Sequence, residues 1–247
     1  MPRISSVRIR PVRATDIDTL VAMNHAAYPD LVADDVVWNA SQLRHHLEVF
    51  PGGQLVAEVE GRLAGAISTL VVSKESALSH HSWLDITANG TFATHDAAGD
   101  TLYLADVYVH PDFWGKGVAA ALYEALWSLC RELGRARVVA GGRLWGYHEY
   151  ADRLGAAEYV AEVLAGKIRD RVLCSQVRAG FVVRGVLPEY LQDARSRSYA
   201  TLLEWPCTPA ARDRQGDAVI VAMRRTASVD PHVQLRSSSS PSSSPSA

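Results

Sequence analysis

The sequence contains no apolar run of about 18 residues that could cross a membrane, and its opening, MPRISSVRIRP, lacks the apolar core of a secretory signal. The three cysteines, Cys130, Cys174 and Cys207, are odd in number and widely spaced, which argues against a disulfide framework or a zinc site. The formal net charge is only −2, so nothing electrostatic favours nucleic acid or a membrane surface as a partner. We therefore expect a cytoplasmic protein without a bound metal.

Two common nucleotide-binding patterns are also missing or incomplete. The mononucleotide loop G-x-x-x-x-G-K-[ST] does not occur. Residues 115–120 match the dinucleotide pattern G-x-G-x-x-G/A, but residues 110–114 separate the first glycine from the preceding strand, where the dinucleotide turn is tight. No Asp or Glu stands near Ala140 to bind a ribose hydroxyl. A dinucleotide oxidoreductase, which would bind NAD(P), is thereby disfavoured.

The sequence does contain a strand, a glycine loop and a helix in succession. Residues 102–109 are rich in β-branched, aromatic and aliphatic side chains, which predicts a strand, and Pro111 ends it. Gly115 and Gly117 punctuate the next loop, and from Val118 onward leucines recur at helical spacing. A helix N-terminus presents unpaired N–H groups and the positive end of a dipole. This loop, with Lys116 beside it, therefore predicts a phosphate-binding site.

The same stretch resembles the GCN5-related N-acetyltransferases. Their signature, Q/R-x-x-G-x-G/A, follows a strand and a V-x-P segment, and here Val109-His-Pro111 precedes Trp114, with Gly117 and Ala119 at the two small positions. Trp114 stands where the family usually has Gln or Arg, whereas backbone contacts to a ligand need no particular side chain. The resemblance implies acetyl-CoA as co-substrate, without a metal. The residues that it implies for binding are Val107, Tyr108, Val109, Trp114, Gly115, Lys116, Gly117, Val118 and Ala119.

The resemblance also implies the fold class. It predicts a mixed α/β (α+β) domain with a mostly antiparallel central sheet flanked by helices, in which the strand at residues 136–142 splays from its neighbour and admits the pantetheine arm of CoA. We expect one such domain at residues 1–225, with a substrate-side insertion at 73–100 and a helical insertion at 143–166. The Ser/Pro-rich residues 226–247 are expected to be a disordered tail.

The insertion at residues 73–100 is long for a loop inside a compact domain, and its aromatic and histidine side chains favour packing over disorder. Two interpretations remain: a cover over the substrate site, or plain packing. The adjacent His80 and His81 predict a solvated turn rather than a metal site, because no further ligand falls at helical spacing beside them.

A second, narrower resemblance covers most of residues 7–206. Several segments are similar to the acetyltransferase modules often joined to carbon–nitrogen hydrolases of the nitrilase type. These segments contain Trp83, Ile86, Thr87, Thr94, His95, residues 140–143, Tyr147, His148, and residues 187–191 and 199–203.

The predicted reaction is direct transfer of an acetyl group from acetyl-CoA to the primary amine of a small molecule or peptide. Asp106 lies in the core strand and is the candidate base or amine anchor, while its alternative role is bonding to neighbouring groups. The family commonly has a tyrosine four residues before a Gly-Phe pair, but Gln176 stands there before Gly180. The usual proton donor is therefore either displaced to Tyr147 or Tyr150 or absent, and His148 is a further candidate for returning a proton to the sulfur.

Two further expectations concern function and assembly. The alternative to an enzyme is a non-catalytic CoA-sensing or partner-binding module on the same fold, because fold alone does not determine function. Homodimers are common in the family that the chain resembles, but nothing in the sequence indicates an interface, so a monomer and a homodimer both stay open; no nucleic acid or membrane partner is expected.

Overall fold

The protein is built around one seven-stranded sheet, seen in a computed structural model that describes residues 6–32 and 36–207. The strands are β1 (Arg8–Pro11), β2 (Gln54–Val59), β3 (Arg62–Val72), β4 (Thr101–Val109), β5 (Arg137–Arg143), β6 (Val182–Leu187) and β7 (Ala200–Pro206). Their order across the sheet is β1-β2-β3-β4-β5-β7-β6. Every neighbouring pair is antiparallel except β4 and β5, which are parallel. The predicted mixed, mostly antiparallel sheet is confirmed.

Seven α-helices cover the two faces of the sheet in the described part of the chain. They are α1 (Ile17–Ala27), α2 (Ala40–Val49), α3 (Lys74–Leu78), α4 (Trp83–Thr87), α5 (Val118–Glu132), α6 (Ala156–Leu164) and α7 (Arg171–Arg178). Residues of α5, α6 and α7 share one hydrophobic cluster, and residues of α1 to α4 share the other. Across residues 6–32 and 36–207, no helix is both long and apolar enough to span a bilayer.

The central strand β4 contributes side chains to the core on both faces of the sheet. Because successive strand side chains point to opposite faces, Leu102 and Leu104 enter the α5 cluster while Tyr103 and Ala105 enter the α1 cluster. The strand therefore joins the two halves of the core. Packing on both faces fixes the position of its C-terminal residues.

Both predicted insertions contain short helical elements. The segment 73–100, predicted to be packed rather than disordered, contains α3 and α4, whose first turns are capped by the hydroxyls of Ser73 and Ser82. The segment 143–166 contains a short 3-10 turn at Tyr147–Glu149 followed by α6. Residues 226–247 lie outside the described residues, so the expected domain limits stay a prediction.

Candidate active site

A gap opens between β4 and β5 inside the sheet. The parallel pairing runs from Thr101 opposite Arg137 to Leu104 opposite Ala140 and stops there, although both strands continue. The register of β3 against β4 also shifts here, since Ser68 pairs with Asp106 but Thr69 pairs with Leu104. Ala105 is thus the extra residue of a bulge, which bends β4 where it leaves β5. The expected splay of the two strands is confirmed.

Side chains, rather than a neighbouring strand, bind the carbonyl groups of β4 along this gap. The hydrogen bonds run from Trp83 Nε1 to Ala105 O (3.0 Å), from Tyr28 Oη to Val107 O (2.8 Å) and from Trp114 Nε1 to Val109 O (2.8 Å). Both backbone groups of a strand residue point to the same side, so the N–H groups of Val107 and Val109 face the gap as well. Val107 and Val109, predicted to contact the co-substrate, therefore line the gap with their backbone groups, whereas the carbonyl of Tyr108 between them points toward β3.

The glycine loop lies at the outer end of the gap, where β4 leads into α5. Gly115 and Gly117 have φ angles of +72° and +81°, which L side chains rarely adopt. Gly117 is the N-cap of α5 and offers no side chain to its first N–H groups. Both glycines and Lys116 are exposed. The first N–H groups of α5 are thus open to a ligand, as phosphate binding would require, and the phosphate site stays a prediction.

Trp114 connects this loop to the opposite side of the gap. Its indole is half exposed, and the guanidinium carbon of Arg171 lies 4.9 Å from its ring centroid. The same carbon lies 4.5 Å from the ring centroid of Trp145, which follows β5, and Arg195 stacks on Trp145 as well, at 4.2 Å. Arg171, at the start of α7, thus brings a positive charge beside the loop at the position where the family pattern has its own Gln or Arg.

Asp106 lies just past the bulge, where α1 and the segment after it approach β4. Its carboxylate accepts hydrogen bonds from Asn24 Nδ2 (3.0 Å), Tyr28 Oη (2.8 Å) and Trp38 Nε1 (2.7 Å). Burial raises the pKa of the Asp106 carboxyl to about 6, although these three donors act in the opposite direction. A carboxyl with this pKa is ionised at neutral pH and can still take up a proton.

The Tyr28 hydroxyl has two acceptors for one proton. It lies 2.8 Å from Asp106 Oδ1 and 2.8 Å from Val107 O. When Asp106 is ionised, Tyr28 can donate to the carboxylate. When Asp106 is protonated, Tyr28 can donate to Val107 O and accept the carboxyl proton. Both protonation states of Asp106 are therefore accommodated without moving the backbone.

Tyr147 and Tyr150 pack with the α5 face of the sheet. The Tyr147 hydroxyl donates to Leu154 O at 3.0 Å, and its ring contacts Tyr159 and Tyr199. Tyr150 packs against Tyr159. The donors around Asp106 belong to the α1 face, so the structure does not bring these tyrosines and Asp106 into one cluster. Their role in proton return stays a prediction.

His81 belongs to a buried polar chain beside the gap. It is only 6% exposed, so the prediction of a solvated turn is wrong for this residue, whereas His80 is exposed. The His81 imidazole bonds to Tyr103 Oη (2.8 Å), which bonds to Tyr190 Oη (3.0 Å). Burial lowers the pKa of His81, so its imidazole is neutral. Among the described residues, no cluster of three or more His, Cys, Asp or Glu could hold a metal ion.

We expect Gly141→Ala to destabilise the protein. A Cβ at Gly141 would lie 2.1 Å from Tyr190 Cζ, and this buried ring is held by Tyr103. Overpacking of this kind lowers the free energy of unfolding by about 1–3 kcal/mol. The control is Gly185→Ala, because nothing lies within 4 Å of a Cβ there. Urea denaturation of both variants checks this, and equal midpoints would contradict it.

Sequence reasoning missed the side chains that reach Asp106 and the gap from elsewhere in the chain: Asn24, Tyr28, Trp38, Arg171 and Gln176. One signal was present, since Asn24 occupies a position on the apolar stripe of α1 and is 1% exposed. A polar residue at such a position must find a buried partner. Gln176 stands where the family pattern has its tyrosine, and Tyr28, Trp38 and Arg171 gave no local signal.

Comparison with known proteins agrees with this geometry. The profile of the Acetyltransferase (GNAT) family matches residues 17–150. The chain is 32% identical to the uncharacterized N-acetyltransferase YkwB of Bacillus subtilis (strain 168) over 203 residues, which are 82% of this chain and 90% of YkwB. It is 36% identical over 198 residues to the probable hydrolase YhcX of the same organism, covering 80% of this chain but only 38% of YhcX.

Solved structures share the fold at lower identity. The GphF GNAT-like decarboxylase in complex with isobutyryl-CoA superposes with a TM-score of 0.71 at 23% identity, over 81% of this chain and 100% of that one. The putative acetyltransferase yncA of Salmonella typhimurium, with its cofactor acetyl-CoA, gives a TM-score of 0.51 at 18% identity, over 83% and 95%. With the splayed strands, the glycine loop and the family match together, this chain belongs to the GNAT family of acetyltransferases.

Proposed function

We propose that this protein is an N-acetyltransferase that moves an acetyl group from acetyl-CoA to a primary amine by direct transfer. The observation that carries the proposal is the gap between β4 and β5, which opens beside the glycine loop at one end and beside Asp106 at the other. A CoA thioester has this same order of groups, with phosphates at one end and the acyl group at the other.

The loop and α7 would hold the phosphate end. The first N–H groups of α5 have no side-chain cap, and Lys116 and Arg171 supply positive charge beside them. The backbone N–H groups of Val107 and Val109 would bind the pantetheine arm or the thioester oxygen. Donors placed in advance at that oxygen stabilise the negative charge that develops there.

Arg171→Gln is expected to weaken CoA binding by about tenfold, because a charge-assisted contact to phosphate is lost. The matched control is Arg178→Gln, which removes an exposed arginine from the other end of α7. Calorimetry with CoA and with dephospho-CoA shows whether the contact is to the 3′-phosphate or to the diphosphate. Equal CoA affinities for the two variants would show that Arg171 only packs on Trp114 and Trp145.

Tyr28 and Asp106 would receive the proton in the transfer step. A neutral amine bonds to the carbonyl carbon, the carbon–sulfur bond breaks, and the thiolate leaves with the electron pair. The proton lost by nitrogen passes to Tyr28 Oη as the Tyr28 proton passes to Asp106 Oδ1, across the 2.8 Å bond between them. The thiolate then takes a proton from solvent, or from Tyr147 or Tyr150 as the sequence predicts.

The test is thermal unfolding with acetyl-CoA, with NADH as control, followed by thiol release with a panel of small-molecule and peptide amines. Stabilisation by acetyl-CoA together with turnover of an amine would support the proposal. Stabilisation without turnover of any amine would favour the CoA-sensing module. Because one structural neighbour is named a decarboxylase, the panel also includes malonyl-CoA, with release of carbon dioxide as the readout.

A further inference from the structure

One buried polar side chain over the splayed end of β5 has an acceptor atom without a hydrogen-bond partner among the described residues. Gln176, in the middle of α7, is 5% exposed, and its Oε1 makes no hydrogen bond within the described residues. Leaving a buried acceptor unpaired destabilises the folded state, so such groups in native proteins call for an explanation. No step of the proposed reaction uses Gln176.

The position of this amide is set by β5. A Cβ built on Gly142 would lie 2.4 Å from Gln176 Oε1, so the amide lies directly against the glycine backbone. Any larger residue at position 142 would displace it. Gly142 is paired with Thr201 of β7, whose hydroxyl donates to Gly142 O at 3.2 Å and lies on the same face of the sheet as Gln176 Oε1.

Gly142 of β5 and Asp106 of β4 lie on opposite sides of the gap, at about the same distance along the two strands. Leu104 is paired with Ala140, and Asp106 and Gly142 are each two residues further along. Along the strands Gln176 is therefore level with the Asp106 carboxylate, but it lies on the α5 face of the sheet, whereas the donors to Asp106 lie on the α1 face. Arg171 lies further out, over Trp114 at the outer end of the gap.

We propose that Gln176 binds the last amide of the pantetheine arm, the one two carbons from sulfur, and so positions the thioester over β4. Oε1 accepts the N–H of that amide, and the contact satisfies the unpaired acceptor. A glutamine amide does not titrate near neutral pH, so Gln176 supplies no proton to the sulfur. This inference rests on the proposed acyl-CoA site and adds a specific contact to it.

The test is Gln176→Met, which keeps the length of the side chain and removes the amide, with Gln176→Leu as a second variant if the first does not fold. Binding is measured by calorimetry with two probes: CoA, and 3′,5′-ADP, which lacks the pantetheine arm. We expect CoA affinity to fall about tenfold, with 3′,5′-ADP affinity unchanged. The ligand-free melting temperature should not fall, because the unpaired acceptor is gone. Ser175→Ala, a neighbour on α7, is the control.

Two results would overturn the inference while leaving the proposed function intact. CoA affinity within about twofold of wild type would show that Gln176 only fills space. Equal weakening of CoA and 3′,5′-ADP would indicate general damage to the site. If the wild-type protein binds neither probe, the acyl-CoA site itself is wrong, and both the proposed function and this inference fail.

Discussion

Gly117→Asp is expected to abolish the stabilisation that acetyl-CoA gives the wild-type protein. For the wild type, a ligand at about 100 times its dissociation constant adds about 2.7 kcal/mol to the free energy of unfolding. In a chain of this size that raises the melting temperature by about 5–10 °C. The substitution would place a negative charge at the N-cap of α5, beside the N–H groups that would receive the phosphates. Repulsion between the two anions removes the binding energy.

The variant Gly117→Asn separates the effect of the negative charge on ligand binding from the effect of adding a side chain of that size. Position 117 has a φ of +81°, and Asn and Asp both tolerate this region better than other side chains, so the two variants carry similar backbone strain. No atom lies within 4 Å of a Cβ there, so neither side chain meets a clash. Gly117→Asn should keep most of the acetyl-CoA shift. Equal shifts in both variants would place the phosphates elsewhere and remove the main support for the glycine loop as their site.

The β4–loop–α5 unit could be predicted from sequence because every signal in it is local. The strand predicted at residues 102–109 is observed at Thr101–Val109, and the helix predicted from Val118 is observed at Val118–Glu132. Strand propensity, a proline break, glycines and leucine spacing each act within a few residues. The splay of β4 from β5 was implied by the family resemblance, and the bulge at Ala105 gives its physical basis.

The surroundings of Asp106 could not be predicted in the same way. Its donors Asn24, Tyr28 and Trp38 lie 82, 78 and 68 residues away in the sequence. No local pattern relates these positions, and only the packing of α1 against β4 brings them together. The same holds for Trp114, where the sequence lacks the Gln or Arg of the family pattern and the structure places Arg171 of α7 against the indole ring. Side-chain networks depend on tertiary contacts, whereas strands and helices depend largely on neighbouring residues.

Asp106→Asn is expected to lower kcat/KM by about a hundredfold and to remove its dependence on pH near 6. The pKa of Asp106 is raised to about 6, so below that pH the carboxyl is increasingly protonated and cannot accept the proton of the amine. In the wild type, kcat/KM should therefore fall about tenfold per pH unit below 6 and level off above it. The acceptor used should be an arylamine, whose nitrogen is already neutral across this range.

Tyr28→Phe gives a sharper test of the same pair. It removes one donor to the carboxylate and leaves those from Asn24 and Trp38 in place. Because the Tyr28 hydrogen bond lowers the pKa of Asp106, its loss should move the acidic limb of the rate profile to higher pH as well as lower the maximum. A residue that served only packing would lower the rate without moving the limb.

The pH dependence of the protein's stability tests the pKa of Asp106 without any amine substrate. Its folded pKa of about 6 lies above the ordinary value of 3.8, so between these values the folded state holds a proton that the unfolded state has released. Stability contributed by this group is present below about pH 4 and is lost as the pH rises to about 6. The melting temperature of the wild type, measured relative to Asp106→Asn, should fall across that window. A constant difference would mean that the pKa of Asp106 is not raised on folding. In that case the carboxylate would be too weak a base to accept the proton, and its role would be to bind α1 and Trp38 to the central strand.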